Sequence, residues 1–393
     1  MSPSATVDAV PLTAPITKEV PSGPLKEKAP AVQPKDDGLP KSQTGHKEPL
    51  QLSGALDQFE QFDVTTVIGK EFANVDLAEW LHAPNSDELL RDLAITVSQR
   101  GVVFFRKQDN IDNALQKELV QRLGELTGKP ATLGLHNHPF THFSHPARGD
   151  DDKISTISSV QVKTLYPDRF AKLPQSKKRL WHSDITFEPV PSDYALLRLT
   201  ELPKTGGDTL WAWGYELYDR ISKPLRSSST SSRSTPPSRS RVRCTRERRG
   251  SPRGHPPRHP HQPVTGWRSA FAVGNHVQSI PGLSEAESKH FLDWFLQLIV
   301  ENHDLQVRLR WQNPNDVAIW GNRSVFHIAT PDFIKKGLGE RTRSRAVSLG
   351  ERPYFDSQST GRQEALAAAK GLDWGTRWAL GGMASYSGES AAR

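Results

Sequence analysis

Apolar residues along the chain recur with two different periods, and the points where the period changes outline the elements. From Ser86 the spacing of Leu89, Leu90, Leu93 and Val97 is helical. It runs into Gly101-Val102-Val103-Phe104-Phe105-Arg106, whose unbroken apolar stretch predicts a buried strand. Leu115, Leu119, Leu123 and Leu126 mark a second helix that stops at Gly128. Tyr194 to Leu199 reads as another strand, Gly206-Gly207 as a tight turn, and Gly214 to Ile221 as a short helix. Further on, Ser284 and Glu287 form a capping box, and Phe291, Trp294, Phe295 and Leu298 are the predicted buried stripe of the helix it opens. Leu305, Val307, Leu309 and Trp311 alternate with Gln306, Arg308 and Arg310, the pattern of a half-buried strand. Val317 to Trp320 starts a strand leading to His327. Arg341, Arg343 and Arg345 then alternate ahead of Ala346 to Gly350, and three cations in strand register are expensive to bury without anions.

The flanks lack such periodicity. Residues 1–55, rich in Pro, Lys, Ala and Ser, predict a disordered tail, with order beginning near Phe62. Residues 357–393 read as a C-terminal tail holding an alanine-rich helix near Glu364 to Lys370. The net charge of +7 is concentrated in residues 226–262, where ten arginines face one acid, Glu247, so the segment carries +9 and the rest of the chain about −2. The remainder therefore gives no electrostatic reason to expect nucleic acid. One reading makes this low-complexity Arg/Ser/Pro-rich insert a segment that binds RNA or acidic partners. The favoured reading is translation out of frame or from an intron, because an ordered pattern resumes at once with Pro263-Val264-Thr265-Gly266-Trp267. His255, His259 and His261 within it are assigned no site. The single cysteine, Cys244, excludes an internal disulfide framework. No basic and apolar leader and no long apolar run is present, so a soluble cytoplasmic protein without a membrane partner is expected.

The candidate chemistry centres on Trp181-His182-Ser183-Asp184-Ile185-Thr186-Phe187. Side chains two residues apart in an extended segment share a face, so His182 and Asp184 can reach one metal ion while Ser183 points away. With His327 as third ligand they would make the two-histidine, one-carboxylate face that holds non-haem Fe(II). In a chain with fourteen histidines such a pair also arises by chance, so the surrounding motifs matter. His136 and His138 flank Asn137 without a nearby acid, and His138 is expected at the rim of a substrate pocket. The glycine pair at 206 and 207 lacks the spacing of a phosphate-cradling loop.

Taken together, Trp181 to Asp184, Glu201-Leu202-Pro203-Lys204-Thr205-Gly206-Gly207-Asp208-Thr209-Leu210-Trp211, Pro263 to Trp267, Asn322 to His327 and Arg345 to Pro353 resemble the TauD/TfdA (taurine dioxygenase) family, and more closely its fungal sulfonate dioxygenase branch. The resemblance covers roughly residues 58–225 and 263–356 of a domain placed at 58–356. It implies an α+β, mainly β fold, a double-stranded β-helix or jelly roll with flanking helices. It implies Fe(II) bound by His182, Asp184 and His327, and 2-oxoglutarate as cosubstrate with its far carboxylate on Thr209 and Arg341. Arg343, on the same strand face, could exchange roles with Arg341. Arg345 and His138 fall where the family holds the substrate anion, with Ile185 and Trp211 near the pocket. A guanidinium makes the paired, charge-assisted bonds that carboxylates and sulfonates accept.

The implied reaction hydroxylates a small sulfonate such as taurine with O2, releasing sulfite and an aldehyde together with succinate and CO2. An alkyl sulfate or an aryloxy acid is an alternative substrate, and self-association is left open. The rival is an impaired relative or scaffold whose insert binds RNA or acidic partners. Two departures stand out: Gly321 occupies a position where the family has an aspartate, and the insert replaces a folded stretch over the site.

Overall fold

A computed structural model describes residues 47–137, 151, 153–160, 163, 176–186, 188, 190–230, 261–271, 273–274, 276–277, 279–280 and 283–372. All of them belong to one compact unit. In chain order the elements that position the site are β1 (Gln61–Asp63), β2 (Lys70–Phe72), α1 (Leu77–His82), α2 (Ser86–Arg100), β3 (Val102–Phe105), α3 (Asn113–Glu125), β4 (Ser155–Ser158), β5 (Ser192–Glu201), β6 (Thr209–Trp213), α4 (Gly214–Asp219), α5 (Lys223–Thr230), α6 (Glu285–Glu301), β7 (Gln306–Leu309), β8 (Val317–Gly321), β9 (Val325–Ala329), β10 (Thr342–Leu349) and α7 (Arg362–Ala369). They include the two helices predicted from Ser86 and Leu115 and the strand between them.

Seven strands form a mixed sheet in the order β1-β2-β3-β8-β5-β10-β4, and three form a second sheet in the order β7-β6-β9. Only the β2–β3 pairing is parallel among those described. This is the jelly roll with flanking helices that the motifs implied.

The continuous apolar runs follow from burial on both faces of the large sheet. Val103 and Phe105 meet Leu93, Val97, Leu119 and Leu123 of α2 and α3, while Val102 and Phe104 pack between the sheets with Trp211, Trp213 and Val307. Leu196 and Leu197 of β5 divide in the same way. On the outer face of the small sheet, Leu296 and Ile299 of α6 cover Ala212, Phe326 and Ile328. Among the described residues no helix is long and apolar enough to cross a membrane.

Several expectations need correction. The capping box of α6 is present, with Ser284 and Glu287 bonding reciprocally. Its fully buried residues, however, are Ser288, Leu296 and Ile299, whereas Phe291, Trp294, Phe295 and Leu298 are half-buried. A helix laid on the outside of a two-sheet core presses only one line of residues into it, and the aromatic stripe flanks that line.

Packed structure also begins earlier than the 1–55 boundary. Buried Asp92 of α2 accepts from the backbone of Ser53, Gly54 and Ala55 at 2.9–3.2 Å and from the Ser53 hydroxyl at 2.9 Å, which ties the segment down. At the other end, residues 357–372 are no tail. The Arg362 guanidinium lies 4.6 Å over the Trp213 ring and bonds Glu216 at 3.0 Å.

The edges of the Arg/Ser-rich segment are likewise part of the packed protein: Arg226, His261 and Gln262 are buried, and Gln262 donates to Ser98. Residues 231–260 lie outside the described residues.

Candidate active site

The main chain brings the predicted ligands together before any side chain is considered. His182 and His327 form an isolated antiparallel bridge, with His182 N donating to His327 O at 3.2 Å and His327 N to His182 O at 2.8 Å. Two residues on, Asp184 shares the face of His182, and Ser183 turns the other way to donate to Val325 O. One ligating atom from each of His182, Asp184 and His327 lies within 4.8 Å of the others. His182 Nε2 is 3.8 Å from Asp184 Oδ1, and His327 Nε2 is 3.9 Å from Asp184 Oδ2.

The electrostatics suit a divalent cation. His182 Nδ1 lies 2.8 Å from Leu180 O. A carbonyl only accepts, so Nδ1 carries the proton and Nε2 presents its lone pair to the cluster. Burial lowers the proton affinity of both imidazoles, further at His327 because His182 stands beside it. Burial works against ionisation of Asp184, yet the Arg345 guanidinium, with His327 and His182 behind it, holds its carboxyl below the usual range. The result is one carboxylate and two neutral rings, the protonation a metal requires. Arg345 Nη1 donates to Asp184 Oδ1 at 2.8 Å, while Oδ2 is buried without a hydrogen bond among the described residues. That orphaned oxygen is what a cation would satisfy.

Beside the three residues is a cavity of about 160 Å³ lined by His182, His327, Thr209, Arg343 and Arg345, with apolar walls from Leu197 and Ile157. Arg341 stands just outside this lining. It is 5 % exposed, and its Nη2 donates to Thr209 Oγ1 at 3.2 Å. Burial, reinforced by Arg343, pushes its proton affinity well down, so an incoming carboxylate would restore what desolvation removes. Gly207, at φ +71°, makes room for it, since a Cβ there would press on Arg341 Cδ at 3.0 Å.

Two expected pocket residues do not line this cavity. Trp211 is in register with His327 but fully buried, 5.3 Å from Phe104 and 6.0 Å from Trp320. The Trp320 ring, 5.0 Å from His327, is the indole that reaches the site. Ile185 is 2 % exposed in the inter-sheet core, where its φ of +58° is a strained value for a β-branched residue. His138 lies outside the described residues.

Sequence reasoning missed His276, whose ring sits edge-on to His182 at 5.3 Å, and gave no role to Asn322 of the last motif, whose Oδ1 accepts from Trp320 Nε1 at 2.9 Å. Neither belongs to a periodic pattern that would have marked it. The turn before His327, which follows Gly321 at the end of β8, is held by its neighbours. Asn322 N donates to Asp193 O, and Arg323 bonds Asp193 at 3.0 Å and Glu351 O at 2.7 Å.

A family profile described as taurine catabolism dioxygenase TauD, TfdA family, matches residues 60–346. The chain belongs to the TauD/TfdA family.

It is 49% identical over 346 residues to the alpha-ketoglutarate-dependent dioxygenase btcD of Neocamarosporium betae, covering 81% of this chain and 98% of that protein. It is 32% identical to a putative alpha-ketoglutarate-dependent sulfonate dioxygenase of Schizosaccharomyces pombe, covering 72% of this chain and 68% of that one. Among solved structures, a putative alpha-ketoglutarate-dependent taurine dioxygenase from Burkholderia xenovorans superposes with a TM-score of 0.57 at 26% identity, over 75% of this chain and 91% of that one.

As a TauD/TfdA member the chain is a 2-oxoglutarate-dependent dioxygenase, an oxidoreductase that uses Fe(II) and 2-oxoglutarate. The donor set fits that metal: two imidazoles and one carboxylate with a bare oxygen, beside a cavity whose lining includes Arg343 and Arg345.

Proposed function

We propose that His182, Asp184 and His327 hold the Fe(II), that Thr209 and Arg341 anchor the far carboxylate of 2-oxoglutarate, and that the enzyme hydroxylates a small organic anion, most specifically a sulfonate such as taurine. In this reading Arg345, beside Asp184, binds the anion, and His138 is assigned to the same group by the resemblance alone. The observation that carries this reading is the meeting of the three ligands beside a cavity whose charged lining residues are arginines.

When bound, Fe(II) with 2-oxoglutarate and O2 supplies the oxidant that replaces a C–H bond by C–OH, with release of succinate and CO2. The protein's own part is positioning and exclusion of water. No side chain needs to act as a general base. Hydroxylation at the carbon bearing a sulfonate gives an adduct that separates into an aldehyde and sulfite. The name of the Schizosaccharomyces pombe relative, a putative sulfonate dioxygenase, supports the sulfonate, while that of the more similar Neocamarosporium relative specifies no substrate.

Anaerobic addition of Fe(II) and then 2-oxoglutarate should develop the weak visible absorption of the chelate in the wild type and not in His182→Ala. With O2 present, taurine should raise succinate formation and release sulfite. Absence of the wild-type band refutes the ligand assignment, whereas a band without taurine-dependent sulfite refutes only the sulfonate.

A further inference from the structure

We infer that Trp311 is a positioning residue for the cosubstrate: by occupying one acceptor site on Thr209 it fixes that hydroxyl as a donor into the cavity. This rests on the reading that Thr209 and Arg341 anchor the far carboxylate of 2-oxoglutarate.

The strand alternation that buries Leu305, Val307 and Leu309 carries on to Trp311 and sends its indole inward, where it is 6 % exposed. Thr209 of β6 is in register with Leu309 of β7. Trp311 Nε1 donates to Thr209 Oγ1 at 3.1 Å, and Arg341 Nη2, from just ahead of β10 in the opposite sheet, donates to the same oxygen at 3.2 Å.

An indole nitrogen and a guanidinium are donors only, and a hydroxyl has two acceptor lone pairs and one proton. Both lone pairs of Thr209 are therefore occupied. One direction around Oγ1 is left, the proton must take it, and Thr209 lines the cavity. The hydroxyl then has no acceptor capacity left for a ligand. It matches a carboxylate, which only accepts, and does not match a terminal group that must itself donate.

Without the indole N–H the hydroxyl regains a second orientation and donates to the cavity only part of the time. A net neutral hydrogen bond is worth about 0.5–1.5 kcal/mol, which corresponds to roughly a 3- to 10-fold change in affinity.

The test uses the Fe(II)-loaded full chain under anaerobic conditions, titrated with 2-oxoglutarate and, separately, with 2-oxovalerate, which chelates through the same atoms but has no far carboxylate. In Trp311→Phe, the Kd for 2-oxoglutarate should rise about 3- to 10-fold, while that for 2-oxovalerate stays within about 2-fold of the wild type. In a Thr209→Val background the same substitution should add no selective loss, since the oxygen through which it acts is gone. Trp311→Leu, smaller and likewise without a donor, should show the same selectivity and serves if the phenylalanine variant does not fold. Equal weakening of both oxo acids marks a merely structural role and overturns the inference, as does no weakening of either. Failure of the wild type to bind either oxo acid refutes instead the cosubstrate reading beneath it.

Discussion

Arg345 donates to Asp184 at 2.8 Å across 161 residues of chain, leaving one oxygen of a buried carboxylate occupied and the other bare. Asp184 is thereby disposed to offer a metal a single oxygen, with its plane fixed by the guanidinium. Groups that orient a metal ligand in this way typically contribute 10- to 100-fold to affinity or turnover. Arg345→Met should lower succinate formation by about that factor while Fe(II) still binds. Turnover at the wild-type level would show that Arg345 orients nothing.

Asp219 should make stability fall as pH rises through the neutral range. Burial, with Glu216 beside it, raises its pKa to about 7 against the opposing pull of the Gln363 N–H, Arg226 and Arg362. Between an unfolded value near 4 and about 7, the folded state holds a proton that the unfolded state has released. The stabilisation is therefore complete below about pH 4 and lost by about pH 7. At about 1.4 kcal/mol per unit the upper bound is on the order of 4 kcal/mol. Urea unfolding at pH 5.5 and pH 8 should show a larger decline for the wild type than for Asp219→Asn. Equal declines would contradict the assignment.

Asp92→Ala should release the segment that precedes β1. Three backbone N–H groups and one hydroxyl lose their acceptor, at a cost of about 1–3 kcal/mol given that residues 53–55 are partly solvated. Hydrogen exchange at residues 53–55 should accelerate well before the strands open. Unchanged protection there would show that something other than Asp92 holds the segment.

Gly274→Ala should disturb the site from behind. Gly274 has φ +99°, and a Cβ there would collide with the Trp181 carbonyl, one residue from His182. That oxygen is main chain and cannot swing aside, so the substitution should cost at least about 2 kcal/mol and weaken Fe(II) binding. Gly134→Ala, where a Cβ meets nothing within 4 Å, is the control and should leave the melting temperature unchanged.

Periodicity made the layers legible, because burial on one or both faces of a sheet is written directly into alternation. It is why Val103 and Phe104 could be placed in a buried strand before their opposite partners were known. That His182, Asp184 and His327 would meet was legible as a motif, since the chemistry of a cation restricts the residue types. Depth was not legible. Alternation correctly gave Trp211 the face of His327 but could not show that Trp320, from the other sheet, stands between it and the cavity. Asp92 was hidden for a similar reason: its partners lie 37–39 residues earlier, in a stretch whose composition reads as a tail. Trp311 was legible as a buried ring and not as a hydrogen-bond donor, since period two reports which side a residue faces and nothing about its nitrogen.

The reciprocal bond between the backbones of residues 182 and 327 sets how the centre behaves when empty. Two of the three proposed donors are fastened to each other through peptide groups, so they would stay together without an ion. Under that assignment, taking up the ion would need no refolding of the cradle.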